Sequence, residues 1–163
     1  MNEAKANPSL RTVPTLADWQ SEPWCLDARR AFEHLYGKTT DEAVRLFEEN
    51  ALYYQEDVMF MPSRVFGYYL RAYMKYLEAS DSDFDALCFF GLIEHKLQYQ
   101  PSDVQPVWSE IRHLLDHLST DESIYALDPK ICGRFPRRVA RIVAQAANVF
   151  PESNAHEPTP GSA

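Results

Sequence analysis

The chain has 163 residues, of which 45% are hydrophobic and 25% charged, with a formal net charge of −8. These proportions are typical of a globular protein, and the length favours one domain with one core. No apolar run reaches the roughly 18 residues of a membrane span, and the opening residues lack the apolar stretch of a secretory signal. The three cysteines form no CxxC motif. We therefore expect a cytoplasmic protein with no membrane contact.

Both ends of the sequence are polar and rich in proline, serine and small residues. We expect residues 1–14 and 151–163 to be disordered tails on either side of a single helical domain over residues 15–150. Between the tails, apolar residues recur at helical spacing, and alternating β-branched runs are few. The sequence therefore predicts an all-α fold, an irregular bundle of five to six helices.

The first two predicted helices are marked by residues that start or stop helices. One helix is predicted over about residues 21–36, with Gly37 ending it in a left-handed conformation. The second begins at Thr39, because Thr39 and Glu42 form a capping-box pattern. Over residues 52–61 the apolar runs are too short for periodicity to distinguish a helical turn from an extended connection.

Four further helices are predicted from the same periodicity. They cover about residues 62–79, 82–99, 102–118 and 136–149. The third of these four tolerates Pro106 only within its first turn. The helix over residues 82–99 has apolar side chains all the way round, which predicts a position at the centre of the fold with other helices around it.

Residues 57–73, with the sequence DVMFMPSRVFGYYLRAY, resemble a segment of a family of small, uncharacterised, helical bacterial cytosolic proteins. In that family a short apolar turn leads through Ser/Pro into a helix that reads roughly F-x-Y-Y-L-x-A-[YF]. Pro62 lies one residue earlier than the pattern places it. The resemblance implies an all-α fold and a bacterial cytosolic setting, and it implies no catalytic or binding residue. The residues that match the pattern are Phe66, Tyr68, Tyr69, Leu70, Ala72 and Tyr73.

The last predicted helix is a basic element on an acidic body. Residues 129–151 carry five Lys/Arg and no Asp/Glu, whereas residues 15–128 carry nine Lys/Arg against 21 Asp/Glu. Arginines and backbone N–H groups at a helix start attract anions. An internal carboxylate from the acidic runs at residues 48–57 or 81–85 is one expected partner, and an external anion or acidic protein is the other. The candidate anion- or partner-binding residues are Arg134, Arg137, Arg138 and Arg141.

Four side chains are candidates for a small-molecule pocket. Glu94 and His95 lie on the predicted central helix, where desolvation shifts pKa values. Tyr69 and Tyr73 belong to a tyrosine cluster whose rings and hydroxyl groups suit a ligand pocket. The alternative for all four is ordinary core packing with satisfied polar groups.

Glu110, His113 and His117 have the i, i+3, i+7 spacing at which one carboxylate and two imidazoles can chelate a metal ion. The helical periodicity places the three opposite the apolar stripe of their helix, so the alternative is a polar face in contact with water. We expect no resident cofactor.

The sequence contains no Walker loop, dinucleotide fingerprint, GxSxG elbow or HExxH motif. The leading hypothesis is therefore a non-enzymatic protein-interaction or regulatory module with an unidentified protein partner. A small-molecule-binding protein or enzyme using Glu94, His95 and the tyrosines is the first alternative, and metal binding is the second. The acidic body disfavours nucleic acid as a partner, and the sequence leaves the oligomeric state open.

Overall fold

The computed structural model describes residues 12–80, 82–120 and 135–150, and within these ranges the regular structure is helical without strands. The predicted all-α fold is confirmed. Residues 1–11 and 151–163 of the predicted tails, and Arg134 of the predicted basic cluster, lie outside the described residues. The helices are α1 (Leu16–Trp19), α2 (Leu26–Leu35), α3 (Thr40–Met59), α4 (Ser63–Ala79), α5 (Asp83–Tyr99), α6 (Pro101–Val104), α7 (Trp108–Thr120) and α8 (Phe135–Val149).

Residues 12–14 of the predicted N-terminal tail are among the described residues. Pro14 is buried, and Arg64 of α4 donates from Nη2 to Thr12 Oγ1 at 3.0 Å. A capping box between Thr15 and Asp18 starts the short helix α1, and Asp18 also pairs with the Arg64 guanidinium. Thr12 therefore has a contact with α4 that the local sequence does not reveal.

Helix α2 begins at Leu26, later than the predicted start at about residue 21. The thiol of Cys25 caps it by accepting a hydrogen bond from the third helical amide at 3.4 Å. The preceding segment turns back instead, because the indole N–H of Trp24 donates to the carbonyl of Trp19 at 2.6 Å. Gly37 has a φ of 76°, which confirms the predicted left-handed residue after this helix.

The capping box of Thr39 and Glu42 is confirmed at the start of α3. The ambiguous stretch after residue 52 is a continuation of the same helix as far as Met59, beyond a kink at Asn50. Asn50 has extended backbone angles, and its Oδ1 accepts a hydrogen bond from the amide of Tyr53 at 3.1 Å. Asn50 therefore acts as the N-cap of the second half of α3.

The predicted helix over residues 102–118 is interrupted. Helix α6 ends at Val104, a 3₁₀ turn covers Gln105–Val107, and α7 starts at Trp108. Pro106 lies within the 3₁₀ turn. Because proline lacks an amide hydrogen and clashes with the preceding helical turn, α6 and α7 do not form one continuous helix.

One continuous hydrophobic core joins the helices. Helix α3 packs along α4, and α8 lies against both α5 and α7. Phe89 and Phe90 of α5 are completely buried in this core, whereas Phe84 and Tyr99 near its ends are 58% and 64% exposed. Helix α5 is therefore central but not enclosed on every side, which corrects the prediction made from its apolar composition. Within the described ranges, no helix is both long and apolar enough to cross a bilayer.

Candidate functional site

The arginines of α8 bind a carboxylate of the same chain. Arg138 donates to Glu94 through Nε at 3.2 Å and Nη2 at 2.8 Å, and Arg141 donates to the same carboxylate through Nη2 at 2.8 Å. Arg137 is exposed. Arg138 and Arg141 therefore have an internal partner, and it is Glu94 of α5, which belongs to neither of the acidic runs expected from the sequence. Glu94 lies within reach of both arginines because α8 packs against α5.

The pair of arginines determines the ionisation of Glu94. Burial by itself raises the pKa of Glu94, but the hydrogen bonds and charges of Arg138 and Arg141 outweigh burial and hold that pKa below its usual value. The guanidinium of Arg138 also lies 5.6 Å from the ring centroid of Phe90, a cation–π distance. Glu94 is thus an ion-pair partner that fastens α8 to α5.

The four predicted pocket residues do not share a site in the described structure. His95 is exposed and its ring lies 4.8 Å from that of Tyr99. Tyr69 and Tyr73 are fully buried, and their hydroxyl groups donate to backbone carbonyls: Tyr69 to the carbonyls at residues 35 and 38, Tyr73 to that of residue 85. Burial raises the pKa of both tyrosines well above the usual value, so both stay protonated. Both therefore act as core residues with satisfied hydroxyls.

The predicted metal ligands are not gathered into a centre. Glu110 forms a bidentate ion pair with Arg71, at 2.6 and 2.7 Å, and His113 and His117 are exposed. No group of three or more His, Cys, Asp or Glu side chains suited to a metal ion occurs in the part of the chain that the structure describes.

An open groove of about 530 Å³ lies between α4 and α7. Its volume falls in the range of small-molecule pockets. Arg71, Lys75 and His113 supply nitrogen groups, and Met74 supplies an apolar contact. Arg71 is held by Glu110 and Lys75 by Asp41, at 2.8 Å. The groove is lined by Arg71, Met74, Lys75, Glu78, Ser109, Glu110 and His113.

A polar cluster that the sequence analysis did not predict joins α2 to α3. The carboxylate of Asp57 is completely buried, and it lies 2.7 Å from Nδ1 of His34 and 3.2 Å from Nε of Arg30. Arg30 also pairs with Glu56 at 3.1 Å. A buried carboxylate with two such partners holds both side chains in defined positions. The i, i+4 spacing of Arg30 and His34 was the only local signal of this cluster.

Two tyrosines complete the cluster at the surface. The hydroxyl oxygen of Tyr53 lies 3.4 Å from Nε2 of His34, and the Arg30 guanidinium lies 5.4 Å from the ring centroid of Tyr53. The Tyr54 ring meets both His34 and Tyr53 edge-on. Burial, followed by the negative charge of Glu49, raises the pKa of Tyr54.

Large apolar side chains continue this region along α3. Leu52 is 48% exposed, and Tyr53 and Phe60 are each 41% exposed. Glu49 and Glu56 are exposed beside them. We refer to Glu49, Leu52, Tyr53, Glu56 and Phe60 as the outer α3 surface.

A second unpredicted polar group is centred on a lysine that is buried inside the fold. Lys96 of α5 is completely buried, and its Nζ donates to Asp103 at 2.9 Å and to Gln100 at 2.7 Å. The Phe66 ring centroid lies 4.7 Å from the same ammonium. The pair of Lys96 with Asp103 fastens α5 to α6.

Comparison with known proteins finds no matching family model, curated protein or solved structure.

Proposed function

We propose that the chain is a non-enzymatic protein-interaction or regulatory module that works in the cytoplasm and binds a partner protein through the outer α3 surface. The observation that carries this proposal is the position of Tyr53, an exposed aromatic side chain held between Arg30 and His34. Tyrosine and arginine are among the residue types that contribute most to protein–protein binding.

The buried carboxylate of Asp57 supports the same proposal through preorganisation. Asp57 holds Arg30 and His34 in place, and these two side chains in turn flank Tyr53. Side chains that are already ordered before binding lose less conformational entropy when a partner arrives. The region therefore has both the residue types and the rigidity of an interface.

The basic helix α8 is a weaker candidate interface. Glu94 already occupies Arg138 and Arg141, so an acidic partner would have to compete with an internal carboxylate held by three hydrogen bonds. Arg137 remains exposed on this helix. The net charge of −8 argues against nucleic acid as the partner, because a polyanion is repelled by an acidic protein.

Affinity capture from a lysate of the source cells tests the proposal. The bait is the full chain, compared with its Tyr53→Ala variant. Truncation of a central interface tyrosine costs about 2 kcal/mol, so a specific partner is expected to bind the variant roughly 30-fold more weakly. Quantitative mass spectrometry of the captured proteins provides the measurement.

Tyr99→Ala is the matched control, because Tyr99 is also an exposed tyrosine but lies at the end of α5. A partner lost with Tyr53→Ala and retained with Tyr99→Ala supports the proposal. If no captured protein distinguishes the two variants, the outer α3 surface is not the interface.

The groove between α4 and α7 favours a second candidate function, the binding of a small polar molecule. In this version of the small-molecule hypothesis the ligand contacts the groove rather than Glu94, His95 and the tyrosines. An NMR screen of small polar aromatic fragments against the full chain tests it through the assigned methyl resonance of Met74, which is distinguished from that of the half-buried Met59. Saturable shifts at Met74 and His113 are expected, and shifts spread evenly over the surface would contradict a site there.

A further inference from the structure

The chemistry of the outer α3 surface selects one class of partner. We propose that it docks a cationic amphipathic helix of another protein, with the apolar row of that helix on Leu52, Tyr53 and Phe60. This inference rests on the proposed function and specifies the partner for the same surface.

The spacing of the apolar residues matches a helical partner. Leu52 and Tyr53 lie four and three residues before Glu56, and Phe60 lies four residues after it, so all three lie about one turn from Glu56 and form one stripe with it on the second half of α3 and its C-cap. At 1.5 Å per residue, the stripe is about 12 Å long from Leu52 to Phe60. That length accommodates two turns of a facing helix, which is the usual scale of helix recognition through i, i+3, i+4 and i+7 anchors.

The charges around the stripe favour a positive partner. Glu49 is exposed, and the charge of Glu56 is only partly offset by its pairing with Arg30. Asp57 lies beneath and is already paired with both Arg30 and His34, so the exposed carboxylates of Glu49 and Glu56 supply the negative charge at the surface itself. Acidic charge of this kind steers a basic segment towards the surface and rejects an acidic one.

The same charges disfavour two other occupants. A second copy of this chain would bring an identical acidic surface against the first, and like charges placed together across an interface are costly. An anionic membrane surface attracts basic segments rather than acidic ones. A basic amphipathic helix of another protein complements both the apolar stripe and the negative charge of this surface.

The direct test uses a defined probe and the full chain. The probe is a fluorescent leucine–lysine peptide patterned as an amphipathic helix, and its binding is followed by fluorescence anisotropy at several salt concentrations. Leu52→Ser with Phe60→Ser is expected to weaken binding at least tenfold, because the apolar anchors are lost. Glu49→Gln is expected to weaken binding about threefold at low salt and to reduce the salt dependence.

Phe84→Ser is the matched control, since Phe84 is equally apolar, 58% exposed and placed in an acidic stretch of sequence. It is expected to leave the affinity unchanged. Equal loss in all variants would mean general attraction between a basic peptide and an acidic protein, and it would overturn the proposal. A dimer that Leu52→Ser with Phe60→Ser dissociates in light scattering would also overturn it, because a second copy would then be the occupant.

The two proposals fail in different ways. If capture finds a partner that depends on Tyr53 but the leucine–lysine peptide does not bind, the interface stands and the cationic-helix inference is wrong. If the peptide binds at Leu52 and Phe60 but no captured protein depends on Tyr53, the surface chemistry stands and the proposed cellular function is wrong. If a leucine–glutamate peptide of the same pattern binds more tightly, the inferred charge of the partner is wrong.

Discussion

At the scale of single residues, Glu94 shows how a charged side chain acquires its role from its surroundings. Its carboxylate is 23% exposed and accepts hydrogen bonds from two arginines of α8. Because the pKa of Glu94 is lowered in the folded protein, its ionised form contributes to stability. That contribution is fully present above the ordinary pKa of 4.5 and is lost as the pH falls through the lower value in the folded state.

Glu94→Gln is therefore expected to lower the free energy of unfolding at pH 7 by about 1–2 kcal/mol, since an amide binds guanidinium groups more weakly than a carboxylate does. The difference from the wild type should shrink as the pH falls below 4.5 and Glu94 itself becomes protonated. Urea unfolding followed by circular dichroism at a series of pH values measures both effects. Asp116→Asn is the control, because the pair of Asp116 with Arg112 is exposed. A pH-independent loss would contradict the ion-pair explanation.

Lys96 is the opposite case, a charge with no exposure at all. Lys96→Met leaves the carboxylate of Asp103 buried without its cation, which is expected to cost about 3–5 kcal/mol of unfolding free energy. Adding Asp103→Leu should recover most of this loss, because both charges are then gone. Urea unfolding of the single and double variants measures the recovery.

Lys75→Met provides the matched substitution, because the pair of Lys75 with Asp41 lies in solvent. It is expected to leave the urea midpoint nearly unchanged. If Lys96→Met is no more destabilising than Lys75→Met, the buried pair does not fasten α5 to α6 in the way described.

At the scale of helices, the kink in α3 determines how the outer α3 surface is presented. The second half of the helix starts at Asn50, whose side chain caps the amide of Tyr53. Tyr53 therefore belongs to the first turn of a new helical segment, and its ring meets His34 of α2. The kink links a local capping interaction to the geometry of the proposed interface.

Asn50→Ala removes this cap and is expected to lower the free energy of unfolding by about 1 kcal/mol. The same change should weaken peptide binding, because Tyr53 loses the support of its first turn. Asn50→Ser retains an acceptor and is expected to preserve both properties. Urea unfolding measures the stability of both variants, and fluorescence anisotropy measures their peptide binding. If Asn50→Ala and Asn50→Ser have equal stability and equal affinity, Asn50 does not act as a cap.

At the scale of the whole molecule, a single core should give a single unfolding transition. Buried residues from Trp19 in α1 to Ala146 in α8 belong to one hydrophobic cluster. Small domains with one core usually unfold in an all-or-none manner. The predicted single domain over residues 15–150 remains a prediction until this cooperativity is measured.

The variant Trp108→Phe leaves Trp19 and Trp24 as the fluorophores, both on the N-terminal side of the core. We expect their fluorescence transition in urea to coincide with the loss of helical circular dichroism, to which all the helices contribute. A fluorescence midpoint clearly separated from the circular dichroism midpoint would show that the α1–α2 region unfolds independently.

The sequence by itself determined the helical class, the capping box at Thr39 and Glu42, the left-handed Gly37 and the acidic net charge. These features depend on local periodicity, on backbone preferences within a few residues and on composition. They can therefore be predicted without knowledge of the tertiary structure. It did not determine the start of α2 or the path of residues 52–59, because those depend on the hydrogen bonds of Trp24 and Asn50.

Only the tertiary structure decided which charges meet. Glu94 is separated from Arg138 by 44 residues, and His34 from Asp57 by 23. Such pairings depend on which helices pack together and on the angle at which they cross. Helical periodicity identifies the buried face of a helix but not the helix that packs against it. For that reason Glu94 appeared in the sequence as a pocket residue and is an ion-pair partner in the fold. For the same reason, the surroundings of Tyr53 depend on the packing of α2 against α3, which the sequence does not specify.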